Sequence, residues 1–146
     1  MENKPAYTKT QNAARIALGA MLITAGVGHL TFARKEFQAQ VPNWIPLDKD
    51  TTVLLSGIAE IALGASIAGL KKERETTGVV AAAFFAAVFP GNLAQYNHHR
   101  SAFGLDTDNK RLARLFFQPA LIAWALWGSG ATNALKKKDQ SMSRDL

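Results

Sequence analysis

Long stretches without charged residues alternate with short charged segments along the chain. Each of four such stretches has about 20 residues, which is the length of helix that crosses a hydrocarbon core of roughly 30 Å. Three of them lack charge completely, and the fourth contains a single carboxylate, Glu60. The pattern predicts an all-α protein, a four-transmembrane-helix bundle that forms a single membrane domain over residues 1–146. The helices are expected at about 14–33, 51–70, 76–97 and 112–135.

A soluble bundle of four alanine-rich helices is the competing interpretation of these stretches. Each helix of such a bundle needs a polar stripe on the face that meets water. The segments "VVAAAFFAAVF", at 79–89, and "ALIAWALWG", at 120–128, carry no strongly polar residue at any helical spacing. The pattern therefore favours a membrane environment.

The connection at 34–50, "RKEFQAQVPNWIPLDKD", is the most distinctive of the loops. Its prolines, Pro42 and Pro46, exclude a continuous helix, and Trp44 is a residue type favoured at the membrane surface. We expect an interfacial segment here, between the first and second helices. The connection at 71–75 is a tight charged turn, and the one at 98–114 is polar and basic.

The net charge of +6 bears on topology rather than on nucleic acid, because the basic clusters contain no RNA-binding or DNA-binding motif. An even number of spanning helices places both termini on one side, and that side holds the larger share of Lys and Arg. The positive-inside rule then predicts that both termini are cytoplasmic. We expect an integral protein of the plasma membrane or a bacterial inner membrane, with membrane lipid as a partner. The lack of cysteine excludes disulfides and redox thiols of this chain's own.

Small residues recur in the first two apolar stretches, at Gly19, Gly26, Ser56, Gly57, Gly64 and Gly69. Helices in lipid associate through close backbone approach, which small residues permit. We interpret these small residues as packing positions. Helix faces built from small residues are also compatible with a homo-oligomer.

The polar residues inside the apolar stretches are distributed unevenly. Successive helices run in opposite directions, so residues late in the first and third helices share one half of the membrane with residues early in the second and fourth. That half faces the two long loops and contains His29, Ser56, Glu60, Asn92, Gln95, Tyr96 and Gln118. The opposite half is expected to be nearly apolar. Since polar groups in hydrocarbon face a partner or a cavity, we expect a polar pocket between the helices, open toward the loops.

Glu60 has two interpretations, and the two are compatible. It either ties the helices together through His29, Asn92 or Gln118, or it binds a ligand or carries a proton. No metal site is predicted, since metal-ligand spacing such as His-x-x-x-His is missing.

Five motifs in this order resemble those of the DoxX family of small integral membrane proteins and its DoxX-like relatives. They are "GVGHLTF", "FQAQVPNWIP", "SGIAEIALG", "VFPGNLAQY" and "RLFFQPALIAWALW". The resemblance covers residues 15 to about 130 and implies a four-helix membrane bundle. The family usually has "FPAN" where this chain has Gly91 after Pro90, and this pair predicts a kink that aims Asn92 and Gln95 inward. Residue by residue, the chain matches the family at His29, Pro42, Trp44, Pro46, Ser56, Gly57, Glu60, Pro90, Asn92, Arg114 and Gln118.

The resemblance also implies a function, because some members of the family are associated with oxidoreductase systems that reduce quinones. Our leading hypothesis is a membrane subunit of a redox system that binds a quinone-like or other small amphipathic ligand, with quinone as the possible cofactor. The chain has no haem or flavin motif, so electrons would come from a redox partner protein. The chain would then be at most an accessory subunit of an oxidoreductase, and no catalytic residue is assigned. The expected ligand contacts are His29, Ser56, Glu60, Asn92, Gln95, Arg114 and Gln118, with Trp44 and Trp124 as apolar walls.

Two other classes of function stay open. Some distant relatives of the family look like assembly factors, which implies a non-enzymatic membrane chaperone whose polar residues only shape the bundle. A small transporter or proton pathway is less favoured, because the nearly apolar opposite half interrupts a continuous polar path.

Overall fold

The structure, a computed structural model, describes residues 7–102 and 104–145. The prediction of an all-α protein is confirmed for this part of the chain. Its helices are α1 (Lys9–Leu30), α2 (Arg34–Phe37), α3 (Lys49–Gly69), α4 (Arg74–Asn97), α5 (Asp108–Ser129) and α6 (Ala131–Arg144). A 3-10 turn, Gln38–Gln40, follows α2 directly.

Three of the described helices, α1, α3 and α4, are long and apolar enough to cross a membrane. Helix α5 is as long as α1, at 22 residues. Arg111, Arg114 and Gln118 lie in its first half, however, and make it less apolar. The fold is therefore an all-helical one with three candidate membrane spans among the described residues.

The last apolar stretch of the sequence is divided between two helices. Helix α5 ends at Ser129, Gly130 adopts a left-handed conformation with a φ of 87°, and α6 begins at Ala131. Glycine reaches positive φ without the steric penalty of a β-carbon and therefore commonly ends helices. A β-carbon at Gly130 would also overlap the ring of Tyr7. The single helix expected at 112–135 is thus interrupted, and α6 is a separate and mostly exposed helix.

Side-chain caps fix where α1, α3 and α5 begin. Thr8 and Gln11 form a capping box ahead of α1, in which the backbone nitrogen of Gln11 donates to Oγ1 of Thr8 at 3.0 Å. Asp48 accepts from the backbone nitrogen of Thr51 at 2.8 Å ahead of α3, and Thr107 caps α5 in the same way. Each cap satisfies a backbone N–H that has no partner inside its helix.

Two helix pairs form the body of the molecule, α1 with α3 and α4 with α5. Helix α1 also contacts α5, whereas α3 and α4 meet only weakly. The shared core consists of Leu18, Leu22, Ile67, Ala81, Ala82, Phe85, Leu121 and Ala125. This core lies in the half nearer the termini, which leaves space between the pairs at the other end.

Four glycines let α1 and α3 approach backbone to backbone. A β-carbon on Gly19 would lie 2.7 Å from the carbonyl oxygen of Gly64, and one on Gly26 would lie 2.6 Å from that of Gly57. A β-carbon does not tolerate such distances, so only glycine fits at these crossings. The predicted packing role is confirmed for these four glycines and is wrong for Gly69, where a β-carbon would meet nothing within 4 Å.

The half that carries the termini contains buried polar residues, contrary to the expectation that it is nearly apolar. Arg15, 3% exposed, donates from Nη1 to the carbonyl oxygens of Ile67 and Ala68 at 2.5 and 2.9 Å. Arg74 donates to two carbonyl oxygens of the last turn of α5, at 2.8 and 3.0 Å. Each arginine thus pairs with terminal carbonyls of a neighbouring helix, which lack intrahelical partners and carry the negative end of the helix dipole.

Candidate functional site

A cavity of about 590 Å³ lies between the two helix pairs, at the end opposite the termini. Apolar side chains of the helices, including Leu22, Phe85 and Leu121, form its deep part. The polar residues on its wall are His29, Gln40, Thr52, Ser56, Glu60, Asn92, Arg114 and Gln118. A cavity of this size, mostly apolar with a few convergent polar groups, is typical of a small-molecule site.

The connection between α1 and α3 covers the open end of the cavity, and we call it the roof (residues 34–48). The ring of Phe37 lies against the imidazole of His29, with the ring centroids 3.5 Å apart. Val41 is 5% exposed, whereas Trp44 is 71% exposed at the rim of the cavity. The segment therefore turns Phe37 and Val41 inward over the cavity and presents Trp44 outward.

Two arginines hold the roof in place. Arg34 forms a two-point ion pair with Asp50 on α3, in which Nε lies 2.6 Å from Oδ1. Arg100, which follows α4, donates from Nη1 to the carbonyl oxygens of Ala39 and Val41 at 3.1 and 2.8 Å. The roof is thereby attached to both helix pairs.

Gly91 on α4 allows the roof to touch the helix, because a β-carbon at this position would overlap the carbonyl oxygen of Gln40. The side chain of Gln40 donates from Nε2 to Oε1 of Gln95 at 3.3 Å. Gln95, 1% exposed, donates in turn to the carbonyl oxygen of Arg100 at 3.3 Å. Gln95 thus supports the roof and does not line the cavity.

His29 on α1 and Glu60 on α3 face one another inside the cavity. His29 Nε2 lies 3.3 Å from Glu60 Oε2, and the two side chains are 8% and 12% exposed. His29 Nδ1 lies 3.1 Å from the carbonyl oxygen of Val53. Since a carbonyl oxygen only accepts, Nδ1 carries a proton, and Nε2 is the nitrogen that faces the carboxyl group. The pair can hold one further proton on either group, which suits proton exchange with a bound molecule.

Asn92, Gln118 and Arg114 form a hydrogen-bonded chain across α4 and α5. Asn92 Nδ2 and Arg114 Nη1 both donate to Oε1 of Gln118, each at 3.2 Å. Gln118 Nε2 donates to the carbonyl oxygen of Phe85 at 2.5 Å. Asn92 and Gln118 are 3% and 1% exposed. These hydrogen bonds join α4 to α5 at the level of the cavity and fix the orientation of the Asn92 and Gln118 amides.

Two buried oxygens on this wall, Glu60 Oε2 and Asn92 Oδ1, have no hydrogen-bond partner among the described residues. His29 Nε2 is near Glu60 Oε2 but is not aligned for a hydrogen bond. An unpaired buried polar atom costs about 1–3 kcal/mol, so native structures keep few of them. Both atoms therefore mark the place where a bound molecule would stabilise the protein.

Seven of the nine residues predicted to contact a ligand line this one cavity: His29, Trp44, Ser56, Glu60, Asn92, Arg114 and Gln118. The other two, Gln95 and Trp124, lie elsewhere. Trp124 is in the half nearer the termini, where its Nε1 donates to the carbonyl oxygen of Ala14 at 2.8 Å. The sequence thus predicted the grouping of residues from four helices, and ligand contact by them stays a prediction.

The cavity wall also contains polar residues that were not predicted, Gln40 and Thr52. Thr52, Ser56 and Glu60 are spaced four apart on α3, so helical periodicity was a usable signal for Thr52. Gln40 lies in the roof, where no helical spacing indicates which side chains point inward. Groups of three or more His, Asp or Glu side chains that could hold a metal ion are not found among the residues that the structure describes.

Fold and site together define a class, an all-helical protein with candidate membrane-spanning helices and, between two helix pairs, a mostly apolar cavity with a few convergent polar groups. Residues 18–129 match the family described as a domain of unknown function, DUF8561, and the chain belongs to this family. No curated protein and no solved structure matches the chain.

Proposed function

We propose that this chain is an integral membrane protein in which α1, α3, α4 and α5 span the bilayer, and that its cavity binds the head group of a small amphipathic ligand. Large apolar side chains on the outer surface support the membrane location. Phe32, Ile58, Phe116 and Phe117 are between 57% and 79% exposed. Such surfaces are unfavourable in water and natural in contact with lipid tails.

Helix α5 joins α1, α3 and α4 as the fourth span in this proposal, although its composition is less apolar. Two polar residues of its first half are turned inward, since Arg111 and Gln118 are 6% and 1% exposed. Phe116, 72% exposed, lies on its outer face. Polar groups that face the bundle interior are compatible with a membrane span.

The proposed topology places both termini in the cytoplasm of a plasma or bacterial inner membrane. Lys71, Lys72 and the lysines at 136–138 are exposed at the end that carries the termini. Basic residues are retained on the cytoplasmic side during insertion. The cavity would then open in the outer half of the bilayer.

The observation that carries the ligand proposal is the cavity itself, in which buried amide, imidazole, carboxyl and guanidinium groups meet apolar walls. A polar head would lie beside Glu60 and Asn92, and its apolar part against Phe85 and Leu121. A quinone-type ring is our first candidate, in keeping with the resemblance to DoxX motifs. The chain would then be the membrane subunit of a redox system whose partner protein supplies the electrons.

The test is a titration of the purified protein in lipid nanodiscs with a short-chain benzoquinone analogue, followed by calorimetry. Glu60→Gln is expected to change the affinity by about tenfold, because the hydrogen-bonding group that meets the polar end of the ligand is altered. Ser66→Ala is the matched control on the same helix, since Ser66 lies in the opposite half and donates to Ala62 within α3. Absence of binding, or equal binding by the wild type and Glu60→Gln, would overturn the proposal.

A further inference from the structure

The orientation of the Asn92 amide follows from its partners. Arg114 has only N–H donors, so the Gln118 atom that it contacts must be the acceptor Oε1. Gln118 Nε2 then donates to the carbonyl oxygen of Phe85. Asn92 has to donate to the same Oε1, which leaves its own Oδ1 as an unpaired acceptor.

The opposite wall of the cavity also presents acceptors. His29 uses its Nδ1 proton for the carbonyl oxygen of Val53, so a neutral imidazole has an accepting nitrogen at Nε2. Glu60 Oε2 beside it is unpaired as well. A bound head group therefore meets two unpaired carbonyl or carboxyl oxygens that need a donor.

Arg114 supplies donors at the same place. It gives Nη1 to Gln118 and carries further N–H groups on the cavity wall. Asn92 and Arg114 contact the same Gln118 oxygen, each at 3.2 Å, so both are neighbours of one point on the wall. A hydroxyl group can donate to Asn92 and accept from Arg114 at once, whereas a carbonyl or ether oxygen can only accept.

We propose that the cavity selects a ligand whose head carries a hydroxyl group, such as a phenol or a reduced quinol, over one with only carbonyl or ether oxygens. This inference rests on the proposed function and adds which chemical form of the ligand is bound. A hydroxyl donates its proton to Asn92 Oδ1, or to the Glu60 carboxylate, and relieves the unpaired acceptor. One carboxyl and one guanidinium line the cavity together with His29, so a neutral head group also suits its charge.

The experiment compares a 4-alkylphenol with its methyl ether, in which a methyl group replaces the hydroxyl proton. Calorimetric titration of the full chain in nanodiscs is expected to show that the phenol binds about tenfold more tightly, because the ether leaves the acceptors unpaired. Asn92→Leu, which is similar in size, is expected to reduce this preference, and Ser66→Ala is expected to retain it. The wild-type comparison decides the question even where Asn92→Leu fails to fold.

Two results would overturn the inference in distinguishable ways. Equal affinity for the phenol and the ether, or a preference for the ether, would overturn the hydroxyl selection and leave the proposed ligand site intact. If the phenol, the ether and the benzoquinone analogue all fail to bind, both the proposed function and the hydroxyl selection are overturned.

Discussion

Gly57 lies directly beneath His29, and a β-carbon on Gly57 would be 2.6 Å from the β-carbon of His29. The imidazole therefore reaches the cavity wall beside Glu60 only because α3 has no side chain at this crossing. The packing of α1 on α3 and the construction of the site depend on the same glycine.

Gly57→Ala is accordingly expected to lower the free energy of unfolding by about 1–3 kcal/mol, because the added methyl group overpacks the helix crossing. Thermal unfolding in one detergent measures the change. Gly69→Ala on the same helix is the matched control, since a β-carbon there meets nothing within 4 Å. If both variants are equally stable, the close approach of α1 and α3 is refuted.

Gly91→Ala tests the contact between α4 and the roof. Helix propensity alone would stabilise this variant by about 1 kcal/mol. We expect the opposite sign, because the new β-carbon would overlap the carbonyl oxygen of Gln40 and displace the turn at 38–40. Hydrogen exchange read by mass spectrometry should be faster at 38–41 in Gly91→Ala and unchanged in Gly69→Ala. A more stable variant with normal exchange would contradict the contact.

The two tryptophans predicted as apolar walls are expected to behave differently. Trp124→Phe removes the bond to the carbonyl oxygen of Ala14 and should lower stability by about 1 kcal/mol without changing ligand affinity. Trp44→Ala should leave stability unchanged, since Trp44 is 71% exposed, and should weaken binding at the cavity rim. Thermal unfolding and calorimetric titration of both variants give the comparison, and the reverse pattern would refute this placement.

Arg15→Met should lower the free energy of unfolding by roughly 2–3 kcal/mol, because two carbonyl groups at the end of α3 lose a charged donor. Lys9→Met is the control at the exposed start of the same helix. Denaturation of both variants in detergent checks the difference. Similar stabilities would show that Arg15 does not contribute through the Ile67 and Ala68 carbonyls.

The N-terminal segment is expected to respond to alkaline pH through Tyr7. Burial, together with the hydrogen bond from its hydroxyl to Glu75 at 2.6 Å, raises the pKa of Tyr7 above its ordinary value of 10.0. The folded protein therefore retains this proton, so the stabilisation is fully present below pH 10 and is lost as the pH rises through the raised pKa. Phenolate absorbance of the wild type minus that of Tyr7→Phe measures the titration, and a midpoint at or below 10 would disprove the contact.

The long helices and the grouping of the site residues could be predicted from the sequence, because the length of a charge-free stretch and the position of a residue within it are local properties of the sequence. A helix that crosses hydrocarbon needs a long stretch without charge, and antiparallel neighbours bring Glu60 and Asn92 to the same depth. The break at Gly130 lies inside a charge-free stretch, so charge spacing does not reveal it. A glycine after the last turn was the available signal.

The roof and the buried arginines could not be predicted in the same way. The roof is placed by Arg34 with Asp50, 16 residues away, and by Arg100 with Ala39, 61 residues away. Arg15 lies just before the first charge-free stretch, where charge spacing alone indicates a residue at the membrane surface, yet it is 3% exposed in the structure. Whether an arginine reaches the end of another helix depends on which helices are neighbours, and this information is not local in the sequence.

The weak contact between α3 and α4 has a consequence for biogenesis. The contacts of α1 with α3 involve only residues up to Gly69, so this hairpin can form while the rest of the chain is still being synthesised. Each hairpin supplies one side of the cavity, which comes into existence only when the second hairpin docks on the first. A ligand that binds the docked state alone shifts the equilibrium toward it by mass action. Under the proposed function, ligand supply in the membrane would then control how much of the newly made chain reaches its mature form.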